Sequence, residues 1–164
     1  MSNPRIMLIG ADNTSDRFGA ALTKKLLEKR PQGVVFGIGG PQMADAGVRL
    51  LYDISEMVSL GVFDSLKGAH IVKRLIQRVS ETMDEEVPHV VVQIGLPIFS
   101  LRLLEIAQCK GLPTLYYYTP LSRGLVDFKT ERFAGLVNKV IGISRYETEA
   151  CRAAGINAEF VGHP

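Results

Sequence analysis

Tryptophan is absent from this chain, aromatic residues of every kind make up only 7%, and there are two cysteines. Cys109 and Cys151 show neither CxxC nor CxxH spacing and fall in segments that read as helices, so they read as free, buried or half-buried thiols. Long apolar runs are lacking too. The most apolar stretch, Val90 to Ile98, is broken by Gln93, Gly95 and Pro97, whereas a bilayer span needs about 20 apolar residues. The opening run Arg5-Ile6-Met7-Leu8-Ile9-Gly10 is too short for a signal peptide and ends at a turn residue, so a cytoplasmic protein is expected. No charge of one sign dominates: 19 basic against 17 acidic residues give a net +2, which argues against a nucleic-acid partner. None of His70, His89 and His163 has a second histidine at i+3 or i+4, so no metal site is expected.

What is present is the composition of an ordinary globular domain, 46% hydrophobic and 22% charged over 164 residues. A chain of this size hides roughly 70% of its unfolded surface and needs no disulfide or metal to be stable. Short apolar runs predict strands at Arg5–Gly10, Val34–Ile38, Arg49–Tyr52, His89–Ile94, Thr114–Tyr118, Lys139–Ile143 and Ala158–Val161. Several are apolar at consecutive positions, as strands covered on both faces are. Between them, Leu22, Leu26 and Leu27 mark a helix over Phe18–Lys29, and Arg145–Ala154 reads as another, closed by Gly155. This alternation predicts one α/β domain over 1–164, a doubly wound, mostly parallel, Rossmann-like sheet.

Ligands of such sheets lie outside the carboxyl ends of the strands, which directs attention to the loops that follow them. The first, Gly10 to Asp16, packs Asp12, Asn13, Thr14, Ser15 and Asp16 ahead of a helix. Convergent donors, acceptors and carboxylates suit a polyhydroxylated ligand, and a carboxylate can take a proton from an attacking hydroxyl. The alternative is an ordinary polar turn in which Ser15 or Asp16 caps the helix. The loop has no GxGxxG pattern, which argues against a dinucleotide. Gly37-Ile38-Gly39-Gly40 invites a phosphate-loop reading, but Pro41 follows with no Lys-Ser or Lys-Thr, and a tight strand-to-helix turn explains it as well. His163 alone of the histidines follows a predicted strand directly.

From Met57 to Val79 the chain reads two ways. Val72, Leu75, Ile76 and Val79 form an apolar helical face, with Lys67, Arg74 and Arg78 on a separate one, and Met57, Val58, Leu60, Val62 and Phe63 cluster upstream. Either the helix packs on the sheet with a solvated basic face, or the segment approaches an anionic membrane surface.

Taken in order, these loops resemble the lipid-A-disaccharide synthase family of GT-B glycosyltransferases, and the resemblance spans the whole chain. It rests on Gly37-Ile38-Gly39-Gly40-Pro41-Gln42-Met43, Gly61-Val62, Tyr118-Thr119-Pro120 and Phe160-Val161-Gly162-His163-Pro164. The first loop falls where the family carries a Gly-Glu-x-Ser-Gly-Asp motif, of which only Asp16 is identical. The resemblance implies the N-terminal, acceptor-side half of a GT-B fold, with a C-terminal nucleotide-sugar domain not included in this chain. It implies an enzyme that joins a UDP-diacylglucosamine donor to a diacylglucosamine 1-phosphate acceptor in lipid A biosynthesis, without a redox cofactor, peripheral to the inner membrane face.

Carried onto this chain, the resemblance makes Asp12 the candidate base and gives substrate contacts to Asn13, Thr14, Ser15, Asp16, Gly39, Gly40, Gly95, Thr119, Ser122 and His163. The sequence also departs from the family. An Asp-x-Pro-Asp-Phe-Asn motif is replaced by Gly95-Leu96-Pro97-Ile98-Phe99-Ser100, and a Trp-Ala-Trp-Arg motif by Arg123-Gly124-Leu125-Val126. A non-catalytic homologue that binds a sugar, lipid or protein, and an unrelated nucleotide- or flavin-binding domain, are the alternatives.

Overall fold

Met7, Leu8 and Ile9 are all fully buried although successive strand residues point to opposite faces, so this strand is covered on both sides. The computed structural model describes residues 3–55, 66–95, 99–117 and 133–163, the side chains of 66, 67 and 100 excepted. In chain order its elements are β1 (Arg5–Ile9), α1 (Asn13–Lys29), β2 (Val34–Gly39), α2 (Pro41–Asp45), β3 (Arg49–Asp53) and α3 (Leu66–Glu86). There follow β4 (Val90–Ile94), α4 (Ser100–Cys109), β5 (Thr114–Tyr117), β6 (Lys139–Gly142), α5 (Arg145–Ala153) and β7 (Ala158–Phe160). The seven strands form one sheet in the order β3-β2-β1-β4-β5-β6-β7, and every neighbouring pair is parallel. The chain builds outward from β1 through β2 and β3, then crosses to β4 and builds the other way, which makes the fold doubly wound and Rossmann-like.

Two apolar layers hold the helices to the sheet. On one face Met7, Ile9, Phe36, Ile38 and Val91 pack with Leu75, Val79 and Met83 of α3 and Leu103 and Ala107 of α4. On the other, Ile6, Leu8, Val35, Val92 and Ile94 pack with Phe18 and Ala20 of α1 and Met43 of α2. Each fully buried aliphatic side chain here contributes about 1.5–3 kcal/mol of transfer free energy. Around β5 and β6, Tyr116 and Val140 join Leu104 and Cys151 in a third cluster.

Helix α1 begins at Asn13, not at Phe18 as its apolar periodicity predicts. Asp12 at the N-cap and Ser15 form a reciprocal capping box, which pulls the polar loop into the first helical turn. The apolar face predicted for Met57–Val79 exists in α3, where Leu75 and Val79 are fully buried against the sheet. Arg78 lies 3.7 Å from Glu81 and 3.3 Å from Glu85, so its charge is shared with the helix's own carboxylates and is not reserved for an outside anion. Met57, Val58, Leu60, Val62 and Phe63 lie outside the described residues, as does the Lys67 side chain. No helix of the described residues is long and apolar enough to cross a membrane.

The end of α3 carries one strained residue. Val87 has φ 42° and its N–H donates to the Met83 carbonyl at 3.1 Å, a helix stop in the left-handed region. That conformation costs an L-residue with a Cβ about 1–2 kcal/mol, and Val87 is 62% exposed, so its side chain gives little packing in return. Val87→Gly is therefore expected to raise the unfolding free energy by about 1 kcal/mol, after roughly 0.5–1 kcal/mol is lost to the freer unfolded chain. Urea unfolding would show a higher midpoint at constant slope, and an unchanged or lower midpoint would contradict the strain assignment.

Candidate functional site

Because the chain order reverses between β1 and β4, the crevice of this sheet opens outside their carboxyl ends. The loop after β1 brings Asp12 to it, and the turn after β4 brings Gly95. Asp12 Oδ1 accepts the Ser15 N–H at 2.7 Å. In return Ser15 Oγ accepts the Asp12 N–H at 3.0 Å and donates to the Asp12 carbonyl at 2.8 Å. Ser15 is fully buried, and its hydroxyl both donates and accepts within the loop. Asp12 stays exposed, with Asn13 exposed and Thr14 half-buried beside it.

Asp16, predicted as a cap of its own helix or a substrate contact, does not cap its own helix, whose N-cap is Asp12. Its side chain is 2% exposed and crosses to the next helix, where Oδ1 accepts the N–H groups of Gly40 at 2.8 Å and Met43 at 2.9 Å. Its Oδ2 accepts the Gln42 N–H at 3.1 Å. The carboxylate thus caps α2, which starts with Pro41 in its first turn and has no cap from its own N-cap residue Gly40. A Cβ on Gly40 would lie 2.7 Å from Asp16 Oδ2, so glycine is required there for close approach. The Gly40 amide is committed to Asp16 and is not offered to a phosphate or sugar. Gly39 is buried against Met43, whose sulfur would stand 2.4 Å from an added Cβ. The glycine pair therefore has a packing and turn-forming role of its own.

Gly95 ends β4 with φ 68°, a conformation that favours glycine over any residue with a Cβ. Its carbonyl accepts the Tyr116 hydroxyl at 2.5 Å and a longer contact from Gln93 Nε2 at 3.4 Å. Burial, and secondarily the negative charge of Asp12, push the Tyr116 phenol far above its usual range, so it remains a protonated donor. Neither Gln93 nor Tyr116 was among the candidates from sequence. The visible signal was a lone amide in the apolar run Val90 to Ile94, since a buried amide must find partners.

On the opposite rim, Phe18 packs edge-on to His163 with ring centroids 5.5 Å apart and tilted to Tyr117 at 5.9 Å. The Arg17 guanidinium lies 5.5 Å from the Phe18 ring. Burial raises the Tyr117 phenol as well. His163 is thereby joined to α1 and to the end of β5, with its ring exposed. The predicted contacts Thr119 and Ser122 lie outside the described residues. Among the described residues, no group of three or more His, Cys, Asp or Glu side chains is arranged to hold a metal ion.

The family model for lipid-A-disaccharide synthetase matches residues 6–164. The lipid-A-disaccharide synthase of Myxococcus xanthus is 30% identical over 165 residues, covering 100% of this chain and 43% of that protein. The enzyme of the same name from Geobacter sulfurreducens is 30% identical over 160 residues, covering 98% and 42%. Among solved structures, a UDP-N-acetylglucosamine 2-epimerase from Rickettsia bellii superposes with a TM-score of 0.65 at 12% identity, over 98% of this chain and 45% of its own. That likeness speaks for the fold alone. The chain spans less than half the length of the curated relatives it matches.

Proposed function

The chain belongs to the lipid-A-disaccharide synthetase family, and from that premise we propose that it is the acceptor-side domain of a GT-B glycosyltransferase. The reaction is transfer from a UDP-diacylglucosamine donor to a diacylglucosamine 1-phosphate acceptor in lipid A biosynthesis. The observation that supports this most is the exposed Asp12 in the loop that follows β1, at the point where the strand order reverses. Forming a glycosidic bond requires the attacking sugar hydroxyl to lose its proton, and Asp12 is the group that accepts it. Asn13, Thr14 and His163 line the approach as polar contacts for the acceptor, and Thr119 and Ser122 complete them. The acyl chains meet the inner face of the membrane through Met57, Val58, Leu60, Val62 and Phe63, with Lys67 and Arg74 toward anionic head groups, so that a cytoplasmic protein attaches peripherally.

Transfer needs donor and acceptor atoms held roughly 3–3.5 Å apart, which one half of a GT-B pair does not supply. This chain is therefore expected to bind acceptor and to be silent in transfer. Titration calorimetry with a short-chain diacylglucosamine 1-phosphate should show saturable binding, and titration with UDP should show none. Micromolar affinity for UDP together with no affinity for the acceptor would overturn the assignment.

A further inference from the structure

Arg17 stands in the second turn of α1 and is exposed. Its guanidinium does not extend into solvent but lies over the Phe18 ring, 5.5 Å from the centroid. That ring is a fixed platform: Phe18 is 2% exposed and meets both Tyr117 at the end of β5 and the exposed His163 after β7. The His163 ring centroid is also 5.5 Å from that of Phe18, so guanidinium and imidazole stand no farther apart than twice that distance. Helical side chains lean toward the helix N-terminus, which here follows the carboxyl end of β1. Arg17 thus leans toward Asn13, exposed one turn earlier on the same face. A guanidinium held on an aromatic ring has less freedom left to lose when a ligand binds.

Elsewhere in the fold, arginines meet carboxylates. Arg5 and Arg49 reach Glu86, Arg78 reaches Glu81 and Glu85, and Arg102 reaches Glu105. Arg17 pairs with no carboxylate among the described residues, and the positions three and four away along α1 are Asn13, Thr14, Ala20 and Ala21. Its planar fork of N–H donors matches two oxygens of a phosphate, and such charge-assisted pairs are the strong ones. We propose that Arg17 is a specificity-determining residue that binds the phosphate of the acceptor sugar. The proposal rests on the acceptor-side reading given above. A phosphate monoester carries about −1.5 to −2 charge at neutral pH, which unopposed would repel the carboxylate of Asp12. Arg17 offsets that charge. Five residues at about 1.5 Å each separate Asp12 from Arg17 by about 7.5 Å along the helix. Phosphate and attacking hydroxyl are therefore held at separate points, which orients the sugar toward the candidate base.

Calorimetry on this chain would compare short-chain diacylglucosamine 1-phosphate with the same sugar lacking its phosphate. The unmodified chain is expected to prefer the phosphorylated sugar by about tenfold, the scale of one hydrogen bond to a charged group, and the preference should shrink as salt is raised. Arg17→Gln should bind the two sugars within twofold of each other, and Arg17→Lys, which keeps the charge but loses the fork, should fall between. Because Arg17 is exposed, the urea midpoint of Arg17→Gln should match that of the unmodified chain. If the unmodified chain binds neither sugar, the acceptor-side reading and this proposal fall together. If it binds both but Arg17→Gln keeps the preference for phosphate, the proposal alone is overturned. UDP and phosphatidylglycerol vesicles, titrated in the same way, separate the other sources of phosphate. A loss on Arg17→Gln confined to UDP or to the vesicles would assign Arg17 to the donor or to a lipid surface and overturn the proposal.

Discussion

Asp16→Ala is expected to destabilise the domain by about 3–5 kcal/mol, chiefly through hydrogen bonds to backbone. Three N–H groups, those of Gly40, Gln42 and Met43, point at its two oxygens, and two of those bonds are buried. Hydrogen bonds to a charged group are worth about 1.5–3 kcal/mol each, and a buried donor left without a partner costs about 1–3 kcal/mol. Some relief comes from water at Gln42, which is exposed. Asp16→Asn retains one oxygen, able to serve Gly40 and Met43, but turns an NH2 toward the Gln42 N–H, so a loss of about 2 kcal/mol is expected. Against a total stability of about 5–15 kcal/mol for such a domain, the alanine variant is brought close to unfolding at moderate temperature. Urea unfolding measures both. A loss below about 1 kcal/mol for Asp16→Ala would mean that α2 does not depend on this cap. Affinity for the acceptor, measured where Asp16→Asn remains folded, should change by less than threefold, because the side chain is buried and its oxygens are taken by backbone N–H groups.

The strands were legible to within a residue because consecutive apolar side chains, as in Met7 to Ile9 and Val90 to Val92, are the pattern of strands covered on both faces. The beginning of α1 was not. The capping-box rule looks for Glu or Gln at the third helical position, and here Ser15 fills it, so the helical turn was read as loop. The role of Asp16 was out of reach for a different reason: its partners stand 24 to 27 positions away and meet it only when α1 and α2 pack on the same face. Gln93 and Tyr116 are likewise joined by strand register, which no local pattern encodes. The apolar face of α3 was readable from its period, and the pairing of Arg78 with Glu81 was readable from the i, i+3 spacing. What the local sequence conveys is periodicity and propensity. Which carboxylate is structural and which is open to a ligand depends on contacts made across the fold.

That distinction decides the second large effect. Asp12→Asn, in the complete enzyme of which this chain is proposed to be the acceptor-side domain, is expected to lower turnover by roughly 10²–10⁴-fold. Stability should scarcely change, because asparagine is as good an N-cap as aspartate and its oxygen can take over the Ser15 N–H that Oδ1 accepts at 2.7 Å. A carboxylate has about four lone-pair sites, so capping through one oxygen leaves the other able to receive a proton from a sugar hydroxyl held roughly 2.6–3.2 Å away. Asparagine keeps the cap and loses the base, which separates the two roles in one substitution. Asp12→Ala removes both and should add a stability loss of about 0.5–2 kcal/mol to a similar fall in turnover. Acceptor affinity should fall far less than turnover for Asp12→Asn, since an interaction made mainly in the transition state leaves ground-state binding largely intact. Rapid-quench measurement under single-turnover conditions, where chemistry limits the rate, is the decisive form of the test. Equal rates for Asp12→Asn and the unmodified enzyme would remove Asp12 as the base and leave its capping bond to Ser15 as its whole function.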